Sequence, residues 1–342
     1  MKRFMNLGLI SKLALLGLVT SVSLKAQTYP AFFQPAAEQT SIPTVDQGVS
    51  AAQVPNSAYN SVLLAVYSVT NALGYAVLPD GLNPVYSYID PYDVPLINCN
   101  ASTPSTCHPT VALFNNAIYI AYSDTNTHGL DVVVATPVPN GGVAYTFQLV
   151  HQDNSVQMVT APAMAVFNGK LEIIYGSNAD SNTKNAFYEV TFDGTNWTPA
   201  SESNLGGSSL RISSAAKPAL AVFHNQLWMC SQQNNSNHQL FVYSSPDGVS
   251  WNFVVQDTNL ALGGGADMVV FNGNLVLANQ QNNSNRALFV FSSPDGVNWG
   301  DQEYTGIRMG GVPALALFNS DIALLFKSNG PTTDLFTDLA SQ

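Results

Sequence analysis

Ser244-Ser-Pro-Asp-Gly-Val-Ser-Trp251 recurs 48 residues later as Ser292-Ser-Pro-Asp-Gly-Val-Asn-Trp299. Proline presets φ at the first corner, aspartate accepts hydrogen bonds from nearby amides, and glycine adopts a left-handed conformation, so the segment predicts a β-hairpin turn. An earlier copy reads Asp193-Gly-Thr-Asn-Trp197. We therefore interpret six turn residues as structural: Asp193, Trp197, Asp247, Trp251, Asp295 and Trp299.

A second repeated segment is an apolar strand that ends in phenylalanine. Its copies occupy residues 109–114, 162–167, 218–223, 266–271 and 313–318, and the phenylalanines are 53, 56, 48 and 47 residues apart. A period near 50 with short β segments is typical of β-propellers. The sequence thus predicts an all-β fold, a β-propeller of four-stranded antiparallel blades. Six blades fit best, with five or seven, or an open solenoid, as alternatives.

The start of the chain predicts export from the cytoplasm. Basic Lys2 and Arg3 precede an apolar run at 13–19 and small residues, which predicts a signal peptide over residues 1–26. The run is too short to span a bilayer, so the mature chain is expected to have no membrane span and to be secreted or periplasmic. Residues 61–342 hold the repeats, and 27–60 are expected to supply the strands that the first and last blades lack.

The charge balance argues against one class of partner. The full chain has 11 basic and 22 acidic residues, and removing residues 1–26 leaves 7 against 22, a net charge of −15. Nucleic-acid binding needs a basic surface that neutralises phosphates, so it is not expected. Asn, Gln, Ser and Thr are abundant instead, and such a surface suits neutral ligands such as sugars.

Three cysteines are present. Cys99 and Cys107 flank a short loop and are expected to form a disulfide in an oxidising compartment, while Cys230 lies in an apolar segment and is expected to be a buried free thiol. Histidines and cysteines lack the paired spacing of a zinc site, so no metal site is predicted. No cofactor is expected; Asp124 and Asp180 could contribute to a calcium loop, although the dense acidic spacing of such loops is missing.

The segments 245–251 and 293–299 resemble the Asp-box, or BNR, repeat of sialidase-like propellers, written Ser-x-Asp-x-Gly-x-Thr-Trp. This chain lacks the residue between Asp and Gly and has Ser or Asn in place of Thr. The variant is closer to lectin-like and uncharacterised secreted propellers than to active sialidases. In that family the Asp-boxes are scaffold, which agrees with the structural interpretation of the turns.

The candidate ligand face is the one opposite these turns. In a propeller the loops joining strands B and C share a face with the connections from strand D to the next strand A. Two such loops are Gln232-Gln-Asn-Asn-Ser-Asn237 and Gln280-Gln-Asn-Asn-Ser-Asn285, whose side-chain amides can donate to and accept from sugar hydroxyls. We therefore predict shallow repeated carbohydrate sites, as in a lectin. The candidate residues are Gln233, Asn235, Asn237, His238, Gln281, Asn283, Asn285, Arg286, Arg211 and Arg308.

Two alternative functions remain open. One is a propeller that serves as a protein-interaction scaffold. The other is a glycoside hydrolase of sialidase type, because Arg211, Arg286 and Arg308 fall on one predicted face and that family binds a substrate carboxylate with three arginines. The adjacent Glu303 and Tyr304 do not supply its catalytic pair, since neighbouring strand residues point to opposite faces. No catalytic residue is assigned, and the ligand and oligomeric state stay open.

Overall fold

The computed structural model describes residues 37–38, 48–56, 58–69, 71–90, 93–99, 106–177, 186–205, 208–209, 216–233, 236–282, 284, 286–329 and 335–340. These residues form 24 β-strands and no helix, so the prediction of an all-β fold is confirmed. Within the same ranges, no helix is long and apolar enough to cross a membrane. The predicted signal peptide, residues 1–26, lies outside the described part of the chain.

The strands pair into antiparallel units of four, and the first strand, β1 (Ala37–Glu38), belongs to the last unit. Unit 1 comprises β2 (Val49–Asn56), β3 (Asn60–Val69), β4 (Ala72–Leu78) and β5 (Val85–Tyr88). Unit 2 comprises β6 (Thr110–Phe114), β7 (Ala117–Ser123), β8 (Leu130–Pro137) and β9 (Tyr145–Asp153). Unit 3 comprises β10 (Ala163–Phe167), β11 (Lys170–Ser177), β12 (Ala186–Phe192) and β13 (Ser201–Glu202). A short hairpin follows, β14 (Asn204–Leu205) with β15 (Ser208–Ser209).

The remaining strands form one continuous sheet because two long strands each serve two units. Unit 4 comprises β16 (Ala219–Phe223), β17 (Gln226–Gln232), β18 (Gln239–Ser245) and the first half of β19 (Asn252–Phe271). Unit 5 comprises the second half of β19, β20 (Asn274–Gln281), β21 (Ala287–Ser293) and the first half of β22 (Gly300–Phe318). Unit 6 comprises the second half of β22, β23 (Asp321–Ser328), β24 (Leu335–Ala340) and β1.

In units 2 to 5, the first and second strands are joined by turns of two left-handed residues. Both central residues have positive φ at Asn115–Asn116, Asn168–Gly169, His224–Asn225 and Asn272–Gly273. Two successive residues with positive φ define a type I′ turn, whose twist matches that of the flanking strands. Asn and Gly tolerate this conformation, which explains their recurrence directly after the repeated phenylalanine.

The core is divided into clusters that lie between successive units. Units 2 and 3 share one cluster, in which Tyr119 packs with Phe192 across the interface, while the adjacent Ile120 belongs to the cluster that units 1 and 2 share. Units 6 and 1 also share one, in which Phe318 and Leu325 pack with Leu63. Gly48 and Val312 form a parallel bridge at the same junction. Strand β1, from the N-terminal side, pairs with β24, so both ends of the described chain contribute to unit 6.

The innermost strands surround a central cavity of about 310 Å³. Its wall includes Met164 from β10, Leu220 from β16 and Met268 from β19. Ser50 from β2, Thr110 from β6 and Leu315 from β22 complete a wall to which every unit contributes. The inner strands therefore face a common centre, as expected of a propeller-like arrangement.

Candidate functional site

We call the side of the molecule with the B–C loops and the D–A connections the loop face, and the side with the A–B and C–D turns the turn face. Strands in each unit are lettered A to D from the centre outward. Because successive strands are antiparallel, all B–C loops and D–A connections emerge on one side. Of the ten predicted ligand residues, six are described and belong to the loop face by this topology: Gln233, Asn237, His238, Gln281, Arg286 and Arg308.

A hydrogen bond that repeats on the loop face ties the B–C loop to the following D–A connection in units 1, 2, 4 and 5. The residue near the end of the loop is left-handed, with φ between 51° and 65°, and its carbonyl accepts an N–H from the connection. The four pairs are Asn71 with Ile97, His128 with Met158, His238 with Leu262, and Arg286 with Met309, at N···O distances of 2.8–3.1 Å. Thus His238 and Arg286, predicted as ligand contacts, also anchor their loops through the backbone.

Two glutamine amides complete the same anchor in units 4 and 5. Gln232 Nε2 donates to the Leu262 carbonyl, and Gln280 Nε2 donates to the Met309 carbonyl. Both side chains are buried, and both residues belong to a strand, Gln232 as the last residue of β17 and Gln280 as the last but one of β20, although the sequence suggested that they begin the polar loop. A buried N–H group needs an acceptor, and the connection provides one for each Nε2. This role is not evident from the sequence, because identical residues at 232 and 233 give no sign of which one turns inward.

The predicted ligand residues fall into two described groups. In unit 4, Gln256 Nε2 donates to the side-chain oxygens of Gln239 and Gln233. At the junction of units 5 and 6, Arg286 Nη1 donates to Asn329 Oδ1 at 3.2 Å. Asn329 N–H in turn donates to the Arg308 carbonyl at 3.1 Å.

Arg286 and Arg308 are therefore close in the fold. Strand pairing sets Ala287, the residue after Arg286, opposite Arg308, and both arginines are exposed. The structure brings together two of the three arginines that the sequence suggested as a group. Asn237 is exposed beside His238, and Gln281 pairs with Leu262. Arg211, Asn235, Asn283 and Asn285 lie outside the described residues.

The Asp-Gly turns on the turn face share one hydrogen-bond pattern. Asp247 Oδ1 accepts the N–H groups of Val249 and Ser250, and Ser245 Oγ accepts that of Gly248. Asp295 and Ser293 repeat the pattern 48 residues on. Around Asp193, bonds from the Asn196 and Thr195 N–H groups lower the pKa of the carboxyl group. Asp80 holds its turn in the same way, through Leu82 and Asn83.

Each of these turns packs its glycine against the preceding unit. A Cβ added at Gly296 would lie 2.1 Å from the indole of Trp228, and one at Gly81 would lie 2.8 Å from Phe318 in unit 6. The Trp residues support the same junctions. Trp251 is buried among side chains of units 3 and 4, and Trp299 Nε1 donates to the Gly296 carbonyl. Trp197 stacks on Phe192 and on His151, with ring centroids 4.4 and 4.3 Å away.

One junction contains two buried acids. Glu172 and Glu189 are 3% and 5% exposed and lie on the same face of unit 3, since Glu172 pairs with Thr191 and Ile174 pairs with Glu189. Burial raises the pKa of each to about 7, and the Asp247 carboxylate acts in the same direction. Ser203 Oγ donates to Glu189. A raised pKa is common in glycosidase acids, and here burial between units accounts for it.

Another buried polar group lies where the inner strands begin. Lys217 Nζ is 3.6 Å from Asp267 Oδ1, and the lysine side chain is 3% exposed. Asp267 Oδ2 accepts the Leu315 N–H at 2.9 Å. His108 is buried nearby, and burial together with Lys217 and Lys327 lowers its pKa to about 3, so it is neutral.

The cysteines behave as the sequence predicts. Cys99 and Cys107 form a disulfide, which confirms that prediction, and Cys230 is a buried free thiol. Burial raises the pKa of the Cys230 thiol, so it is unreactive. In the described ranges no three His, Cys, Asp or Glu side chains are grouped to hold a metal ion. Asp124 caps its own loop through Asn126 and Thr127, and Asp180 lies outside the described residues.

Comparisons with known proteins establish the class of fold. No family model and no curated protein matches the chain. Among solved structures, the chain is similar to Trypanosoma rangeli sialidase in complex with the inhibitor DANA, with 13% identity and a TM-score of 0.57 over 89% of this chain and 57% of the sialidase. It therefore spans little more than half of the sialidase's length. The predicted resemblance to sialidase-like propellers is confirmed at the level of fold.

Two further solved structures match over most of their own length. AofleA from Arthrobotrys oligospora is 12% identical, with a TM-score of 0.60 over 86% of this chain and 84% of AofleA. A protein of unknown function from Dyadobacter fermentans is 12% identical, with a TM-score of 0.59 over 90% of this chain and 99% of that protein. The sialidase-like propeller is thus the class to which this fold is similar.

Proposed function

We propose that the chain is a closed six-bladed propeller in which each four-stranded unit is one blade. The support is that every successive pair of units shares a buried cluster and that units 6 and 1 share one as well. Innermost strands also contact one another in sequence, and β22 contacts β2. An open array would leave one face of unit 1 and one of unit 6 without a partner.

We propose further that the protein is a secreted or periplasmic carbohydrate-binding propeller with shallow sites on the loop face. The observation that carries this proposal is the exposed group at the junction of units 5 and 6, where Arg286 bridges to Asn329 beside Arg308. Guanidinium and amide groups offer several oriented donors to hydroxyl or carboxylate oxygens. Similar loops in units 4 and 5 favour more than one site, which would strengthen binding to a polymer through avidity.

Localisation outside the cytoplasm is part of this proposal. The Cys99–Cys107 disulfide fits an oxidising compartment, and the basic and apolar start of the chain fits a signal peptide over residues 1–26. In support of the ligand class, the sialidase to which the fold is similar is described with a sialic-acid derivative, 2,3-difluorosialic acid.

A glycan array with the purified mature chain tests the proposal. We expect retention on a subset of glycans, and a loss of about tenfold or more in Arg308→Ala, because a charged donor contributes about 1.5–3 kcal/mol. Lys170→Ala is the matched control, since it removes one positive charge from an exposed residue on the turn face. Equal loss in both variants would show a general charge effect.

The two alternatives appear as other outcomes. Failure to bind any neutral or acidic glycan, together with clear retention of a protein partner, would replace the lectin function with that of a scaffold. Turnover of a fluorogenic sialoside that disappears in Arg308→Ala would instead indicate a glycosidase.

A further inference from the structure

The central cavity has one closed end and one open end. The six residues immediately before the inner-strand repeat are all buried: Gly48, His108, Ala161, Lys217, Gly265 and Val312. The six residues just before the repeated phenylalanine, or its equivalent Val54, are all at least partly exposed: Gln53, Leu113, Val166, Val222, Val270 and Leu317. The first set lies towards the loop face and the second towards the turn face. The cavity therefore opens on the turn face, away from the proposed glycan site.

Hydrogen-bonding side chains lie at the closed end of the cavity. Ser50 Oγ accepts the Val111 N–H at 3.1 Å, which joins units 1 and 2. Asp267 joins units 5 and 6 through the Leu315 N–H, and its ion pair with Lys217 adds unit 4. Ser50, Thr110 and Asp267 also line the cavity, so their oxygen atoms form a polar end, and most of the other lining side chains are apolar.

The mouth of the cavity has mainly apolar side chains around it, with Gln53 as a polar lining residue. Val166, Val222 and Leu317 are 40%, 37% and 45% exposed, and they come from three different units. Deeper in the wall lie Met164 and Met268, whose flexible thioether side chains adapt to ligands of different shape. A cavity of about 310 Å³ is within the range of small-molecule sites, which are mostly apolar with a few polar groups.

From this arrangement we propose that the central cavity binds a small uncharged organic molecule that has an apolar body and a hydroxyl group at one end. The hydroxyl would donate to the Asp267 carboxylate, which can only accept, or to Ser50. Lys217 already neutralises Asp267, so the site does not require a charged ligand, and burying an unpaired charge there would be unfavourable. This site is independent of the proposed glycan binding on the loop face.

Calorimetric titration with three matched probes tests the inference: 2-phenylethanol, ethylbenzene and phenylacetate. We expect 2-phenylethanol to bind most tightly, ethylbenzene to bind at least fivefold more weakly, and the anion phenylacetate to bind weakest. Leu317→Trp should block the mouth and weaken 2-phenylethanol by tenfold or more. Val249→Trp is the control, because Val249 is similarly exposed but belongs to a C–D turn.

A second variant guards against an indirect effect at the mouth. Met164→Trp fills the cavity from inside and should abolish binding, with the unfolding midpoint of each variant recorded to show that it is folded. The inference is overturned if the folded wild-type chain does not bind 2-phenylethanol at millimolar concentration, or if binding is unchanged in both Leu317→Trp and Met164→Trp. Arg308→Ala should leave 2-phenylethanol binding unchanged. A failure of the cavity proposal can therefore be distinguished from a failure of the glycan proposal.

Discussion

At the scale of single residues, the left-handed glycines have two different surroundings. Gly273, in an A–B turn, has open space where a side chain would begin, whereas Gly296, in an Asp-Gly turn, is covered by the Trp228 ring of the preceding unit. Their φ angles are nearly equal, at 73° and 75°. The pair therefore separates the cost of backbone strain from the cost of inter-unit packing.

We expect Gly273→Ala to lower the free energy of unfolding by about 1 kcal/mol, the usual cost of forcing alanine into this conformation. Gly296→Ala should cost about 3 kcal/mol or more, because the new methyl group also displaces Trp228. Urea denaturation of the two variants provides the measurement. Equal losses would mean that the Asp-Gly turn does not pack tightly against the preceding unit.

The second prediction at this scale concerns the buried acids of unit 3. The folded-state pKa of Glu172 is raised from 4.5 to about 7, so the folded chain binds more protons than the unfolded chain between these values. Stability from this group is therefore fully present below pH 4.5 and is lost as the pH rises through 7. His108 acts oppositely, because its lowered pKa removes stability as the pH falls from 6.5 towards 3.

His108 contributes equally to the stability of the wild type and of Glu172→Gln, so its contribution cancels in the difference between them. We expect the variant and the wild type to have the same stability at pH 4.5, and the variant to be more stable at pH 8 by on the order of 2 kcal/mol. Thermal unfolding at half-unit pH steps would measure the difference. A difference that stays constant across this pH range would show that the Glu172 carboxyl group is not perturbed by burial.

Single residues were predictable where chemistry is local. The Ser-x-Asp-Gly turn could be read from sequence because its hydrogen bonds join residues within five positions of each other. The buried state of Glu172 could not, since it depends on packing between units 3 and 4. The sequence contains one sign of this burial. Glu172 lies five residues after the repeated phenylalanine, and the equivalent position in unit 4 is occupied by Trp228.

At the scale of strands and loops, the B–C loop of unit 4 divides into an anchoring part and an outer part. Gln232 donates to the D–A connection from a buried position, while the Gln233 side chain accepts a hydrogen bond from Gln256 at the surface. We expect Gln232→Ala to cost about 1–3 kcal/mol of stability, because the Leu262 carbonyl loses its buried partner. Gln233→Ala should change stability by less than about 0.5 kcal/mol.

Denaturant unfolding measures these two variants, and glycan retention gives a second readout. Gln233→Ala is expected to affect retention and not stability, whereas Gln232→Ala is expected to affect stability first. Similar loss of stability in both would contradict the division of the loop.

The order of the strands could be predicted from the repeat, because its period and its turn residues are properties of the sequence. The buried glutamines that hold the loop ends could not be predicted, since the sequence does not indicate which of two adjacent glutamines is buried.

At the scale of the whole molecule, stability is expected to depend on the N-terminal side of the chain. The pairing of β1 with β24 covers a strand edge that would otherwise be open to other chains. We expect a chain lacking residues 27–40 to unfold at a lower temperature and to aggregate more readily than the mature chain. Light scattering during a thermal ramp is the measurement. Removal of residues 341–342, which follow β24, is the control.

A truncated chain with an unchanged unfolding midpoint and unchanged scattering would show that β1 contributes little to stability.

The sequence indicated that strands from both ends would be needed in one unit, because the last repeat supplies only three strands. It did not indicate the shape of the central cavity. That shape depends on burial at six positions from six different units, and no local pattern records it.

The anchoring bonds of the loop face have a consequence for how this protein could diversify. Since the ends of the B–C loops in units 4 and 5 are held by backbone atoms and by one inward-facing glutamine each, we expect that the residues between can be exchanged without disturbing the sheet. Unit 4 and unit 5 already differ at the loop end, with His238 in one and Arg286 in the other, on the same backbone geometry. Randomising residues 233–237 in a display library should therefore yield folded variants with new binding preferences.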